Sequence, residues 1–584
     1  MRQPACDLLL LHPPSVYDFR EASILYGPVS DMVPSSVVFE LYPIGFLTLA
    51  AYLRDRGVSV RIANLALRMM SSRRFDVPAF LARQRPRLIG IDLHWLPHAH
   101  GALEVARLAK AAHPDVPVVL GGLSASYFHE ELVRRPEVDF VLRGDSTEGP
   151  LHMLLEAIGG GGRLEDVPNL AWKDNGEPRF NPVTWVPGSL DYVDVRPEVL
   201  VEMAVKYRDV LGVLPFRGWL ANPTTMVLPL KGCAYDCVTC GASATTCRSL
   251  TRRTRPVFRS PASLAANVGA IARFCRGPVV IPGDLLQGGE DYVAEVLDRL
   301  AAARIANEVC FEFFDLPDAR WLARIDAALP NWSFEISPES HDHPVRRAME
   351  GEPGYDNEAL EAFLAEALSL GVHRADVFFM IGLPGQTRDS VSGTVEYCGR
   401  LFGRFDRRLQ CFISPMGPFL DPGSRIFEDP ERFGYRLFAR TLEEHRRLLV
   451  QPTWERILNY ETRWMTRRDL VEATYDAAER LNELKRAHGR IPARQARRVA
   501  GRIRQARDLK ARLDALGAGD DAAARALRGE IGRFSVSTVC DKSELFWPRR
   551  LVGFRLGALA GAVARAMRPR RRQVPVPDPT EGLA

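Results

Sequence analysis

Lys231-Gly-Cys-Ala-Tyr-Asp-Cys-Val-Thr-Cys-Gly241 is the stretch on which the reading of this chain turns. Cys233, Cys237 and Cys240 stand in a C-x3-C-x2-C pattern, behind an apolar run over 226–230 that reads as a strand. Thiolates so close on one loop can all turn toward one metal centre. Three fall one short of the four thiolates of an ordinary iron–sulfur cube, so one iron would keep an open coordination position. A structural zinc site competes, with Cys247 as fourth thiolate. Its two cysteine pairs would be crowded together, whereas zinc pairs normally stand well apart. Buried, unreactive cysteine is the third reading. Three thiols at this spacing, flanked by Gly232 and Gly241, argue against it.

Upstream of the loop, apolar runs at 8–11, 58–63, 87–92, 118–120 and 139–142 alternate with helical patterns at 45–53 and 101–112. Such alternation predicts an α/β domain over 1–155: a doubly wound parallel sheet of the flavodoxin-like, Rossmann type. Ligands of such sheets bind beyond the carboxyl ends of the strands. Gly121, Gly122 and Gly144 stand at those ends, where backbone can approach a ligand closely. Residues 156–224 open with a glycine run at 159–162, carry a hairpin signal at 168–178, and otherwise read as a linker.

From the loop onward, strand-like runs at 226–230, 278–281, 309–314, 332–336, 375–381 and 410–413 alternate with helical segments. Those segments lie near 263–274, 292–303, 319–328, 357–370 and 389–402. The pattern fits an incomplete (β/α)6 barrel over 225–430, with active groups at the carboxyl ends of its strands. Residues 431–584 read as a helical region. Helix-like apolar spacing runs over 432–449 and 467–488; 494–516 is basic and alanine-rich, with Gly517 as its stop. Residues 551–572 are basic and amphipathic, suited either to peripheral contact with an anionic membrane surface or to docking on the body of the protein. The tail after Val574 is expected to lack fixed structure.

Taken in order, these features resemble the cobalamin-binding-domain radical S-adenosylmethionine (SAM) family. The cysteine loop resembles that family's signature, which implies a 4Fe-4S cluster on Cys233, Cys237 and Cys240 with SAM on the open iron. Ser337-Pro-Glu-Ser340 and Ile381-Gly-Leu-Pro-Gly-Gln-Thr387 resemble strand-end segments of the same group, and Pro418-Phe-Leu-Asp-Pro-Gly-Ser424 resembles its barrel closure. Carried over, they imply SAM contacts at Glu339, Gly382, Pro384 and Gly385. A helix-capping carboxylate and a plain strand-to-helix turn are the alternatives for these two segments. The family's G-G-E motif has two claimants. Pro282-Gly-Asp284 occupies the right place and favours Asp284; a literal Gly288-Gly-Glu290 comes slightly later.

In the N-terminal half, Pro43-Ile-Gly45, Leu120-Gly-Gly122 and Arg143-Gly-Asp-Ser-Thr-Glu148 resemble the family's cobalamin-binding domain. The resemblance implies cobalamin contacts at His94, Gly121, Gly122, Gly144, Asp145 and Glu148. Asp145 departs from the family's usual glutamate. Asp92-Leu-His94-Trp-Leu-Pro97 looks like the D-x-H-x-x-G motif that places histidine on cobalt. It lacks the glycine and follows the third strand, not the first. The expectation is therefore cobalamin without a histidine ligand, with His94 near the corrin face or in the core.

Composition fits this picture. At 584 residues, 46% hydrophobic and 26% charged, the chain has globular composition and room for several domains. A net charge of +5 on this length does not by itself argue for nucleic acid, and the basic helices show no aromatic interleaving. Ten cysteines are too few for a disulfide scaffold; Cys6, Cys275, Cys310, Cys398, Cys411 and Cys540 are scattered and read as buried thiols. The first residues lack a signal-peptide pattern and no run of 18 apolar residues occurs, so a cytoplasmic location is expected. The implied function is cobalamin-dependent methyl transfer to an unactivated carbon, through a 5′-deoxyadenosyl radical and methylcobalamin. Its partners would be a small-molecule or natural-product substrate and an external electron donor such as flavodoxin or ferredoxin. Two alternatives stay open: radical SAM chemistry without cobalamin (rearrangement or oxidation), and a zinc-stabilised binding protein.

Overall fold

The computed structural model of the chain describes residues 4–22, 24–25, 27, 36, 38–351, 354–516, 526–527, 530–531, 540–545, 547 and 553–567. In the N-terminal half, β1 (Cys6–His12), β2 (Val60–Asn64), β3 (Pro86–Asp92), β4 (Val118–Gly121) and β5 (Phe140–Leu142) pair in parallel. Their order is β2-β1-β3-β4-β5, the flavodoxin-like arrangement. Crossover helices such as Gly45–Asp55 and Ala99–Ala112 cover the sheet. The strands are consequently apolar along their length, and Leu8, Leu9, Leu11, Ile89 and Val118 have no exposed surface.

The hairpin expected inside the linker belongs to this sheet. β6 (Leu170–Asp174) pairs antiparallel with β5, and β7 (Glu177–Phe180) pairs antiparallel with β6. Asn175 and Gly176, both at positive φ, make the two-residue turn between them. The N-terminal unit therefore runs past residue 155 to Phe180.

The second unit is an open barrel. The apolar run over 226–230 does not form one strand, because Pro229 has no N–H to give a ladder. It divides into β8 (Thr225–Met226), in the barrel, and β9 (Leu230–Lys231), which pairs antiparallel with β10 (Val257–Phe258). β11 (Val279–Ile281), β12 (Val309–Phe313), β13 (Trp332–Glu339), β14 (Arg374–Ile381) and β15 (Leu409–Pro415) complete six parallel strands in the order β15-β14-β13-β12-β11-β8. Four of the helices between them start on side-chain caps. Ser260, Asp318, Asp356 and Thr387 each accept a backbone N–H of the first turn.

The C-terminal region is not wholly helical. In place of one helix over 432–449 there is β16 (Tyr435–Leu437), paired with β17 (Tyr460–Thr462), and a short helix Leu442–Leu448. A capping box of Thr441 and Glu444 sets that helix's start. Helices Arg467–Ala487 and Ala493–Asp514 follow. Helix Leu556–Ala566 packs on helices Pro197–Tyr207 and Pro261–Phe274 through Ala558, Leu559 and Ala562. Arg555 Nε donates to the Ala272 carbonyl at 2.7 Å. The described part of 551–572 thus docks on the body of the protein. Gly517, residues 551–552 and 568–572, and the tail after Val574 lie outside the described residues. No helix among the described residues is long and apolar enough to cross a membrane.

Candidate active site

The carboxyl ends of both sheets open onto one cavity of about 890 Å³, a volume toward the upper end for small-molecule sites. One wall comes from the N-terminal sheet: Gly90 to Asp92 at the end of β3, then His94, Gly121, Gly122, Gly144, Asp145 and Glu148. The opposite wall comes from the barrel: Leu230, Cys233, Cys237, Cys240, Gly283, Glu312, Glu339, Met380 and Met416. Parallel sheets place their functional loops at these ends. Here the two sheets turn those ends toward each other.

The cysteine loop follows β9. Gly232, at φ +86°, makes the turn into it; a Cβ there would lie 2.7 Å from Arg253 Cδ. The Ala234 amide donates to Gln287 Oε1 at 2.7 Å, and the Gly241 amide to Asp421 Oδ2 at 3.1 Å. The loop is thereby tied to the turn after β11 and to the 418–424 segment. Burial pushes the Cys233 and Cys240 thiols up, Cys240 to about 12 with Asp421 adding to the effect. A bound cation is what would hold such thiols as thiolates. Among the described residues no three His, Cys, Asp or Glu side chains are gathered around a single-ion site. Cys247, the fourth ligand of the zinc reading, is buried and donates to the Ala242 carbonyl at 3.2 Å.

Other residues singled out in the sequence fall in different places. Glu339 ends β13 beyond a register shift, with φ +62°, and lines the cavity. Asp284 does not line it. Its carboxylate is buried and accepts backbone N–H groups from Leu286, Phe314 and Asp315 at 2.8–3.1 Å. It braces the loops after β11 and β12, and burial raises its pKa despite those bonds. Glu290 pairs with Arg320 at 2.7 Å on an exposed helix start, so the acid of neither claimant to the G-G-E motif lies in the wall, although Pro282 and Gly283 do. Gly382, Pro384 and Gly385 also stand outside it. The Gly382 amide donates to Gln386 Oε1 and its carbonyl accepts from Tyr435 Oη, both at 2.7 Å. That segment is a strand-to-helix turn packed under the β16–β17 hairpin.

In the N-terminal wall, Gly122 has φ +114°, and a Cβ there would lie 2.4 Å from His94 Cα; only glycine lets the two loops touch. Asp145 and Glu148 reach the wall with engaged carboxylates. Asp145 receives Arg253 at 2.7 and 3.0 Å. Burial raises its pKa, but Arg253 and Lys231 outweigh that and hold it below the usual range. Glu148 accepts from Thr48 Oγ1 at 3.1 Å and the Thr147 amide at 3.0 Å. Lys231 Nζ, beside the cysteine loop, donates to the Asp145 carbonyl at 2.7 Å.

Sequence reasoning missed Glu312. It stands at the end of β12, lines the cavity, and accepts the Gly283 amide at 2.6 Å. Burial, with Asp284 adding to it, raises its pKa. The signal was present as an acid inside Phe311-Glu-Phe313, an otherwise apolar strand end. Gln287 and Arg253, which brace the loop and the interface, carried no motif; Asp421 stood inside the 418–424 segment with no role of its own assigned.

The donor set fits the groups that the sequence implies. Three thiols on one braced loop suit a cluster, the carboxylate of Glu339 and Glu312 near it suits the amino group of SAM, and the glycine-lined strand ends opposite suit a broad planar cofactor. Comparison with known proteins agrees. Residues 32–151 match the B12 binding domain family, and residues 227–398 match the Radical SAM superfamily. The chain is 26% identical over 216 residues to a hopanoid C-3 methylase of Methylococcus capsulatus and 27% identical over 202 residues to an uncharacterized methyltransferase of Pyrococcus horikoshii. These matches cover 36% and 34% of this chain and only 38% and 40% of those relatives. Among solved structures, the methyltransferase TsrM from Kitasatospora setae, with cobalamin and [4Fe-4S] cluster bound, superposes with TM-score 0.57 at 16% identity, covering 91% of this chain and 99% of that one. OxsB, a radical enzyme with aqua-cobalamin and SAM bound, gives TM-score 0.52 at 12% identity, covering 96% and 79%. At such identities the structural likeness speaks to fold.

Proposed function

The chain belongs to the radical SAM enzymes that carry an N-terminal B12-binding domain, and we propose that it methylates an unactivated carbon of an apolar small molecule. The single observation that carries this reading is the shared cavity, in which the three-cysteine loop of the barrel faces the strand ends of the N-terminal sheet. When bound, a 4Fe-4S cluster with SAM supplies hydrogen-atom abstraction, and cobalamin supplies a transferable methyl group. Both methyltransferase-named relatives accord with this.

The chain's own residues serve that chemistry by position. Cys233, Cys237 and Cys240 would hold the cluster, with Gln287 and Asp421 fixing their loop. Glu339 and Glu312 would orient SAM. Gly121, Gly122 and Gly144 would let backbone lie against cobalamin. Leu228, Leu250, Met380, Met416 and Phe419 line the remaining space; they exclude water and favour an apolar substrate. Bringing reactants into one enclosed space lowers the entropic part of the barrier. Electrons would come from an external carrier such as flavodoxin or ferredoxin.

The test is anaerobic reconstitution with iron, sulfide and hydroxocobalamin, followed by incubation with methyl-labelled SAM and candidate apolar acceptors. Label transferred to carbon supports the reading. Formation of 5′-deoxyadenosine without label transfer to any acceptor would move the assignment to rearrangement or oxidation. Replacing any of the three cysteines with alanine is expected to abolish 5′-deoxyadenosine.

A further inference from the structure

His94 stands in the wall that the N-terminal sheet presents to the cavity, and its ring is held from behind. Its Nδ1 lies 2.7 Å from Asp92 Oδ2, while Asp92 Oδ1 lies 2.9 Å from His12 Nδ1. His12 Nε2 in turn lies 2.9 Å from the Phe39 carbonyl. His12 and Asp92 are buried, so the carboxylate is pinned on one side by His12 and on the other by His94. An ionised carboxylate accepts and does not donate. His94 Nδ1 must then carry the proton, which leaves Nε2 with its lone pair.

The ring has little freedom to turn away. His98 packs against it with ring centres 5.1 Å apart, and against His12 at 4.9 Å. The backbone of Gly122 closes on the His94 main chain. No hydrogen bond within the described residues engages Nε2, and the side chain keeps 28% of its surface exposed where it lines the cavity. A carboxylate holding one imidazole nitrogen so that the other is basic and fixed is the arrangement that tunes histidine as a metal ligand.

Resting on the cobalamin reading above, we propose that His94 Nε2 is an axial ligand to cobalt, with Asp92 and His12 as the positioning pair behind it. This reverses the expectation drawn from the sequence. There, the missing glycine and the place after the third strand argued against ligation. The clamp, however, needs only Asp92 and His94 two residues apart at the end of β3, and that spacing is intact.

The test is electron paramagnetic resonance of the full chain carrying reduced, Co(II) cobalamin. Ligation by one imidazole nitrogen predicts that each parallel cobalt line splits into three. In protein grown with 15N-histidine the three should become two, and in His94→Gln the splitting should be lost. Cobalt retained without nitrogen splitting overturns the proposal and leaves the cobalamin reading standing. Splitting that ignores the 15N-histidine label, or survives in His94→Gln, also overturns it, because the nitrogen then belongs to the cofactor's own base or to another histidine. Failure of the wild-type chain to retain cobalt on desalting removes both the cobalamin reading and this proposal.

Discussion

Glu335 lies inside the barrel, in register with Glu312 on β12 and Asp376 on β14. Burial first, then Asp376 and Glu312, push its pKa from an ordinary 4.5 to about 8; Arg374, itself bound to Asp376 at 2.7 and 2.8 Å, opposes this only in part. Between those two values the native chain holds a proton that the unfolded chain releases, so this group's contribution to stability falls as pH rises. Glu335→Gln is therefore expected to leave the melting temperature nearly unchanged at pH 5 and to raise it at pH 8.5. Equal shifts at both pH values would sink the assignment. Asp284 makes a different case. Its carboxylate satisfies three backbone amides, and Asp284→Ala should cost on the order of 3 kcal/mol in urea unfolding, as expected when buried donors are orphaned. In the sequence Asp284 and Glu312 look alike: an acid at a strand end reads the same whether it faces a ligand or a set of amides. The cysteines were legible because their spacing is itself the chemistry. The side-chain partners that tell one acid from another come in large part from distant loops, 29 residues away for Glu312 and Gly283 and 180 for Asp421 and Gly241.

At the scale of elements, strands and helices were legible where one residue pattern decides them. Val118 to Gly121 is apolar and ends in glycine; Thr387 caps a helix by accepting the Ser390 amide whether or not anything packs on it. The failures came where one residue vetoes a pattern. Pro229 splits an apolar run into β8 and β9, and the Thr441–Glu444 box starts a helix ten residues later than apolar spacing alone indicated. The cysteine loop combines both lessons. Its motif is local, but its shape depends on Gly232 at φ +86° against Arg253 and Pro256. Gly232→Ala sets a side chain into a left-handed conformation, a strain of about 1–3 kcal/mol, and adds a contact with Arg253 Cδ. The loop would shift before the barrel unfolds. The expected result is iron per chain well below wild type after reconstitution, with the thermal unfolding midpoint little changed. Full iron loading would show that the loop tolerates the shift.

The whole molecule is two sheets held with their carboxyl ends face to face, and Arg253 pins them. It is 3% exposed, donates twice to Asp145 of the N-terminal unit, and donates to the Pro187 carbonyl at 3.2 Å. Lys231 adds its bond to the Asp145 carbonyl. Further out, Arg135 meets Glu443 at 2.7 Å and Tyr127 meets Glu428 at 2.7 Å, but those pairs are more exposed and contribute less. Removing one member of a buried pair leaves the other uncompensated, at about 3–5 kcal/mol; Lys231 beside Asp145 offsets part of that. Arg253→Met is thus expected to lower stability, and Asp145→Asn added to it should restore part of the loss. The functional consequence follows from the geometry. Splitting of SAM would need only the barrel's own loop, whereas the proposed methyl transfer would need both walls in register. In Arg253→Met, 5′-deoxyadenosine formation should persist while labelled methyl transfer falls steeply, and the double variant should recover stability without recovering transfer. If the two activities decline together, Arg253 serves the cysteine loop through its contact with Gly232, and the register of the two sheets is set by the outer pairs instead.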